Sequence, residues 1–503
     1  MRQKAARTVE AAAALTGTGI WRIRTAKKKD SRGRRRQLRI IFTCLLLLAA
    51  AIGLLIYGFF RLRSSRTPDP ARAARMEKIS QEESAIKARR NTIAKAKQLA
   101  SGYDYDAAIA LLQQEDNYTS DSELVNAIAA FTADKAALET KDPTTVPHIF
   151  FHSLIVDTSR AFDTSKWSTR EINGINAWMT TVDEFDKMIQ QLYDNGYVLV
   201  KARDLVTEYK GEDGYVHFKK SSSLRLPPDK KPLVLSVDDW SYYHTYTGKG
   251  FADKAVLDSK GNVKVQYTDA DGNASVGDYD VVPRLNTFIA SHPDFSYKGA
   301  RGLIAMTGYN GVFGYRTDTA YRTGENLDED QKKWLEEHPD FSWDQDVADA
   351  KKIADAVKKE GWEFACHTWG HLSVTGKSVE TLKTDQGKWQ ATVANITGQT
   401  DTIIFAHGND IGNWKPYDMS TNPVFAYYKN AGYNYYMNVD ASQKHWVQIN
   451  DLSFRQGRID CDGLQMWRAL SGSAKINVFE DLFDVKSVFS SARPTPVTAE
   501  GKA

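Results

Sequence analysis

From Val146 onward the chain predicts an α/β fold: an incomplete (β/α) barrel of about seven parallel strands, preceded by a transmembrane helix and a small helical stalk region. Three observations carry this expectation. Short apolar runs alternate with helical patterns, as strands joined by crossover helices require. Two polar clusters, Asp238-Asp239 and His367/His371, lie 128 residues apart and each ends an apolar run, where a barrel gathers its working groups. Upstream, Ile40 to Phe60 is an uncharged run of 21 residues, long enough to span a bilayer.

In chain order, residues 1–39 carry 13 Lys/Arg against Glu10 and Asp30, a net charge of +11, while the remainder carries −8. A basic leader abutting an apolar run reads as membrane topology rather than nucleic-acid binding, so no nucleic-acid partner is expected. The positive-inside rule places 1–39 in the cytoplasm, 40–60 in the membrane and the rest outside the cell membrane, a single-pass arrangement. Residues 61–145 read as a linker, RSSRTPDPAR, followed by a helical stalk in which Ile79, Ile86 and Ile93 recur every seven residues. Residues 146–485 form the catalytic domain, and 486–503 a flexible C-terminal tail.

The strands expected in the catalytic domain are HIFFH, GYVLV, PLVLSVDD, GLIAMT, EFACH, TIIFAHG and YYMNVD. Thr181 and Glu184 make a capping box for a helix on Val182, Phe185, Met188, Ile189 and Leu192, closed by Gly196. Val347, Ala350, Ile353, Ala354 and Val357 mark a second helix, and Asn422-Pro423 opens a third. After the Asp pair, FADKAVLDSKGNVKVQYTDADGN reads as a β-hairpin turning at Gly261. Of three cysteines, Cys44 lies in the span; Cys366 and Cys461 are either a disulfide or two buried thiols.

Two neutral imidazoles four residues apart and one carboxylate can hold a Zn²⁺-like ion with a position open for water, while a second carboxylate accepts that water's proton. Each cluster alone is weak: an HxxxH pair recurs by chance, and Asp-Asp is usually a turn or cap. The aromatics after the Asp pair, Trp240, Tyr242 and Tyr243 with Tyr246, suit stacking on sugar faces or core packing equally. His152 and His244 are expected to line the cleft, and His407 either to assist catalysis or to support the metal's ligands from just outside them. His148, His217, His292, His338 and His445 read as surface or loop residues.

With SVDD and HTWGH on the page, residues 146–485 resemble the polysaccharide deacetylase family, the NodB-homology carbohydrate esterases. HIFFHSLIVD and the helix ending in NGY resemble its opening. The resemblance implies Asp238 as general base and Asp239, His367 and His371 as ligands of one divalent ion, usually zinc. Two departures stand out. FAHGND places Ala406 where the family has an Arg that orients the base, and no LxH follows His371 to supply a proton donor; SFRQGRIDCDG offers Arg458 and Asp460 instead.

The function these readings imply is a membrane-anchored, extracytoplasmic, metal-dependent hydrolase. It would remove N-acetyl groups from an acetylated cell-envelope polysaccharide, peptidoglycan amino sugars first, with O-acetyl removal a close variant. Asp238 and His407 are the expected catalytic residues; Trp240, Tyr242, Tyr243, His244, His152 and Arg458 the expected substrate contacts. The alternative is a weakened deacetylase-like module that binds carbohydrate and organises the envelope. No oligomeric state is assigned.

Overall fold

The computed structural model describes residues 31–64 and 70–499. Residues 1–30 of the predicted cytoplasmic tail lie outside the described residues. Two compact units emerge, Met1–Ala88 and Arg89–Ala503. In the first, Ser31–Ser64 is one helix of 34 residues with Leu45, Leu46, Leu47, Leu48, Leu54 and Leu55 outward, the last two above two-thirds exposed. Among the described residues no helix is long and apolar enough to cross a membrane. The side chains of Ile40, Ile41, Phe42 and Phe60, which complete the predicted span, lie outside the described ones.

The second unit begins earlier than the expected boundary at 145/146. Helices Tyr105–Gln113 and Ser122–Ala136, N-capped by Asp104 and Asp121, enclose Ile93, Ala96, Ala100, Leu112 and Leu124. Tyr103 ties this small bundle to the domain, donating its hydroxyl to the Asp294 carbonyl at 2.9 Å.

Seven parallel strands close into a barrel: β1 (His148–Phe151), β2 (Lys231–Asp238), β3 (Leu303–Met306), β4 (Glu363–Cys366), β5 (Thr402–Ile404), β6 (Tyr435–Val439) and β7 (Ser453–Asp460). Around the ring the order is β2-β3-β4-β5-β6-β7-β1, and β1 returns to β2 through Phe150↔Ser236. The ring is therefore closed, where the sequence suggested an incomplete one. Alternation sorts the side chains. Ile149, Phe151, Leu235, Val237, Ile304 and Phe364 face the helices, whereas Val234, Leu303, Ala305, Ala365, Ile404 and Met437 fill the lower lumen. Burying each large side chain contributes about 1.5–3 kcal/mol.

Six of the seven expected strands are staves. GYVLV is not: Tyr197–Leu199 pairs with the start of β2, outside the ring, and bridges Ser296 through Leu199. The missing stave is Ser453–Asp460, every residue of which is buried. It escapes an apolar-pattern reading because its inward face meets a polar lumen, where Gln456 bonds His148 at 3.1 Å, and its outward Arg455 pairs with Asp410 at 2.8 Å. The same lumen claims His148, fully buried between Gln456 and Ser236 rather than at the surface.

The expected helices form at Val182–Asp194, with its capping box, Trp343–Lys359 and Pro423–Asn430. The single hairpin is instead a three-stranded antiparallel sheet of Lys254–Leu257, Val263–Thr268 and Ala274–Gly277, turning at Gly261 and Gly272, both with positive φ. Cys366 and Cys461 are buried free thiols. The segment expected as a flexible tail is docked: Arg493, 4% exposed, pairs with the buried Glu184 at 2.6 Å and donates to the Asn176 and Met179 carbonyls. A guanidinium with its donors satisfied fixes the chain there, and a reading based on Pro and small residues does not see it.

Candidate active site

The strand tips open into a cavity of about 530 Å³ lined by both Asp residues, both metal-motif histidines, His152, Tyr243, His244, His407, Arg458 and Asp460, among others. Alternation along β2 turns Ser236 and Asp238 to the lumen. Asp239 would then point away, but its φ of +55° bends the backbone so that it also faces the site. Its N–H donates to the Ala305 carbonyl at 3.1 Å, which anchors the bend on β3.

At the end of β4 the HTWGH loop takes two further left-handed residues, Thr368 and His371. Asp385 holds it by accepting the Trp369 and Gly370 N–H groups at 2.7 and 2.9 Å. The result gathers one ligand atom each from Asp239, His367 and His371 within 4.8 Å of one another. The Nδ1–H of His367 donates to the Ile404 carbonyl at 2.7 Å, which leaves Nε2 as the lone-pair donor. One oxygen of Asp239 accepts the Tyr243 hydroxyl at 2.7 Å, and the other stands 3.5 Å from His371 Nε2. Burial lowers the His367 pKa to about 4 against the pull of Asp238 and Asp239, so the imidazole is neutral. Burial pushes the Asp239 pKa up, but His371 and His367 outweigh it and keep the carboxylate ionised. Two imidazoles and a carboxylate are a donor set that fits a divalent zinc-like ion.

Asp238 is outside this set, although one of its oxygens stands 3.8 Å from His367 Nε2. Both its oxygens accept from Arg458, at 2.7 and 2.8 Å, and the guanidinium lies 4.0 Å over the Phe150 ring. Burial would raise the Asp238 pKa, yet Arg458 and then His367 hold it well below the usual carboxylate range. Arg458 was expected to touch substrate; both its Nη atoms are instead spent on Asp238. Ala406, at the position where the resemblance expects an Arg, is buried at the tip of β5.

The other expected contacts divide. Trp240 and Tyr242 are core: the indole N–H donates to the Tyr242 hydroxyl at 2.8 Å, that hydroxyl donates to Asp280, and Trp240 packs on Phe313. Tyr243 lines the cavity but is spent on Asp239, with its ring stacked on Tyr309 at 4.6 Å. His244 lines the wall, bonded to the Tyr321 hydroxyl at 2.6 Å, and burial lowers its pKa to about 3. His407 lies at the rim in a left-handed conformation, its Nε2 at 3.1 Å from the His371 carbonyl and its ring 4.3 Å from that of His371. His152 lines the cavity, and its Nδ1 is buried without a hydrogen-bond partner.

Sequence reasoning missed the clamp that Arg458 makes and the place of Asp460 on the cavity wall. One signal was available: two charged residues two apart, Arg458 and Asp460, share one face of any strand.

A closed parallel barrel with a carboxylate pair and two histidines converging at its strand tips defines a hydrolase-type site. Residues 320–435 match the family model for polysaccharide deacetylase, which bears out the resemblance read from HTWGH. The matched stretch contains His367, His371 and β5 but begins after Asp238 and Asp239, which the fold brings to it. Among solved structures, the chain is similar to a Streptococcus pyogenes deacetylase, PplD, in complex with acetate, at 14% identity over 62% of this chain and 92% of that one. The TM-score is 0.31, too low for any step below to rest on it. No curated protein matches the chain.

Proposed function

We propose that the protein is a metal-dependent deacetylase that hydrolyses N-acetyl groups of an acetylated cell-envelope polysaccharide, peptidoglycan amino sugars first, from a membrane anchor at Ile40 to Phe60. The observation that carries the reading is the division of labour in one cavity: three ligand atoms within 4.8 Å, and beside them a carboxylate held by a guanidinium rather than by the ligand set. The anchor is supported by the uncharged run of 21 residues and the basic segment before it.

Asp239, His367 and His371 would hold the ion, most suitably Zn²⁺, which when bound supplies Lewis acidity to a carbonyl oxygen and acidifies a water. Asp238 accepts the proton of the attacking water, and Arg458 keeps that carboxylate ionised and aimed. As the acetamide C–N bond breaks, acetate departs and the sugar nitrogen needs a proton. The sequence suggested His407 as its donor. His407 instead gives Nε2 to the His371 carbonyl, whereas His152 lines the cavity and its Nδ1 has no hydrogen-bond partner among the described residues; neutral at rest, it would take over the water's proton from Asp238 and hand it to the sugar nitrogen, so the role is assigned to His152.

Acetate release from N-acetylated glycans, with chelated and then zinc-restored protein, tests the reading. Release that depends on the ion is expected; release unaffected by chelation rejects it. The weakened-module alternative drew support from Ala406 and from the absent LxH, and Arg458 answers the first by bringing a guanidinium to Asp238 from another strand.

A further inference from the structure

We propose that Trp178 is the platform of the glycan site: the apolar C–H face of a sugar next to the one that loses its acetyl group stacks on this indole. The proposal rests on the deacetylase reading for the identity of the ligand.

The aromatic residues that follow the Asp pair offer no such face, since Trp240 and Tyr242 are core and Tyr243 is spent on Asp239. Trp178 comes from another part of the chain. It ends the helix Thr169–Trp178, is partly buried and lines the cavity beside Met179 and Phe150. Behind it lies the buried cluster of Ala177, Leu464 and Val497. The indole is therefore supported by the protein on one side and borders the cavity on another. Asp460 lines the same cavity, and its Oδ1 has no hydrogen-bond partner among the described residues. A sugar ring pairs apolar C–H groups on its faces with hydroxyl donors at its edge, the combination that an indole and an unpaired acceptor suit together.

The place of Trp178 in the ring decides which sugar it meets. Asp239 follows β2, and His367 and His371 follow β4, so the ligand atoms come from one arc of the barrel. Leu464 belongs to the helix Gly463–Ser471 that follows β7, and β7 lies across the lumen from that arc. A sugar stacked on Trp178 is thus a neighbour in the polymer rather than the unit whose acetamide faces the ligand set. A cavity of about 530 Å³ gives room for both, because pockets of roughly 300–1,000 Å³ enclose whole drug-sized ligands.

The platform is fixed before the glycan arrives. Arg493 donates to the carbonyls of Asn176 at 2.8 Å and Met179 at 2.6 Å, which flank Ala177 and Trp178. Asn176 in turn donates its side-chain amide to the Pro494 carbonyl at 2.7 Å. Gly463 lets these groups approach, since a side chain there would strike both the Asn176 carbonyl and the Arg493 guanidinium. The C-terminal segment is in this way part of the wall, and a platform already ordered costs little entropy when a ligand binds.

Steady-state acetate release by the zinc-loaded protein, on N-acetylated glycan oligomers and on the single N-acetylated sugar, reads the platform. Trp178→Ala should raise KM for the oligomers about tenfold with a much smaller effect on kcat, and raise KM for the single sugar far less, as the loss of binding remote from the reacting bond requires. Trp178→Phe keeps a ring and should recover most of the oligomer KM. An unchanged oligomer KM in the Ala variant overturns the proposal, as does an equal rise on both substrates or a Phe variant as impaired as the Ala variant. In the Asp238→Asn background, titration calorimetry reads oligomer binding without turnover, and Trp178→Ala should weaken it about tenfold. Oligomers that bind through Trp178 while the parent releases no acetate reject the deacetylase reading and leave the platform standing. Oligomers that do not bind at all overturn the platform.

Discussion

The tips of β5 and β7 border the same cavity one strand apart, and they teach different lessons. β5 lies where the family resemblance expects an arginine for the base and carries Ala406 and His407. β7, absent from the strands the sequence predicts, carries an arginine bonded to Asp238. Ring closure explains the exchange. Asp238 on β2 is three staves from β5 by way of β3 and β4, but two from β7 by way of β1. A guanidinium on β7 therefore reaches the same carboxylate from the opposite side, across 220 residues of chain. What the site specifies is a position in the lumen, and more than one stave can fill it.

The comparison breaks most directly at Arg458. Arg458→Ala leaves Asp238 buried without its partner, so we expect a loss of about 3–5 kcal/mol in urea denaturation, together with loss of acetate release. Adding Ala406→Arg to that variant should not restore turnover, because Ala406 is fully buried and its surroundings are packed around a methyl group. Recovery in the double variant would show that β5 can still serve the base. Asp238→Asn sharpens the same point with a smaller structural effect: metal content measured by elemental analysis should hold, while turnover falls by roughly 10²-fold or more. His367→Ala should do the reverse, emptying most of the site.

A third expectation separates the lumen histidines from the rim. Burial lowers the pKa of His148, His152 and His367, so each is neutral in the folded chain and protonates more readily when unfolded. Folded values below the unfolded value of about 6.5 mean that their contribution is complete above that pH and is lost as pH falls. For His367 the window runs from about 6.5 down to about 4 and is worth on the order of 3 kcal/mol. Thermal unfolding of metal-free protein between pH 7 and 4 checks this; a midpoint that rises on acidification through pH 6 contradicts it.

How much of this was legible follows the polarity of each surface. Strands facing the helices betray themselves by apolar residues, so β2, β3 and β4 and the two motifs at their tips could be read directly. β7 could not, because Gln456 and Arg458 face a polar lumen and Arg455 a polar cap. The same blindness hid the docking of Arg493 on Glu184. Trp240 and Tyr242 were misassigned for the converse reason: aromatic residues beside a motif look like a sugar platform, but their hydroxyl and indole groups are satisfied by each other and by Asp280 inside the core.

The smallest effect is the most discriminating for the two strand tips. His407 touches the backbone of His371 and lies tilted against its ring, so His407→Ala should loosen that residue rather than remove a proton donor. Outer partners of metal ligands typically cost about 10–100-fold in metal affinity or activity, and an exposed one belongs at the low end. We therefore expect about a tenfold loss, equal on amide and activated ester substrates and relieved by excess zinc. His152→Ala should instead spare zinc affinity and depress amide hydrolysis more than ester hydrolysis, because an amine leaving group depends on protonation and an activated alkoxide does not. If the amide-selective loss appears with His407→Ala, the proton donor sits on the tip of β5 after all, and only the arginine has moved to β7.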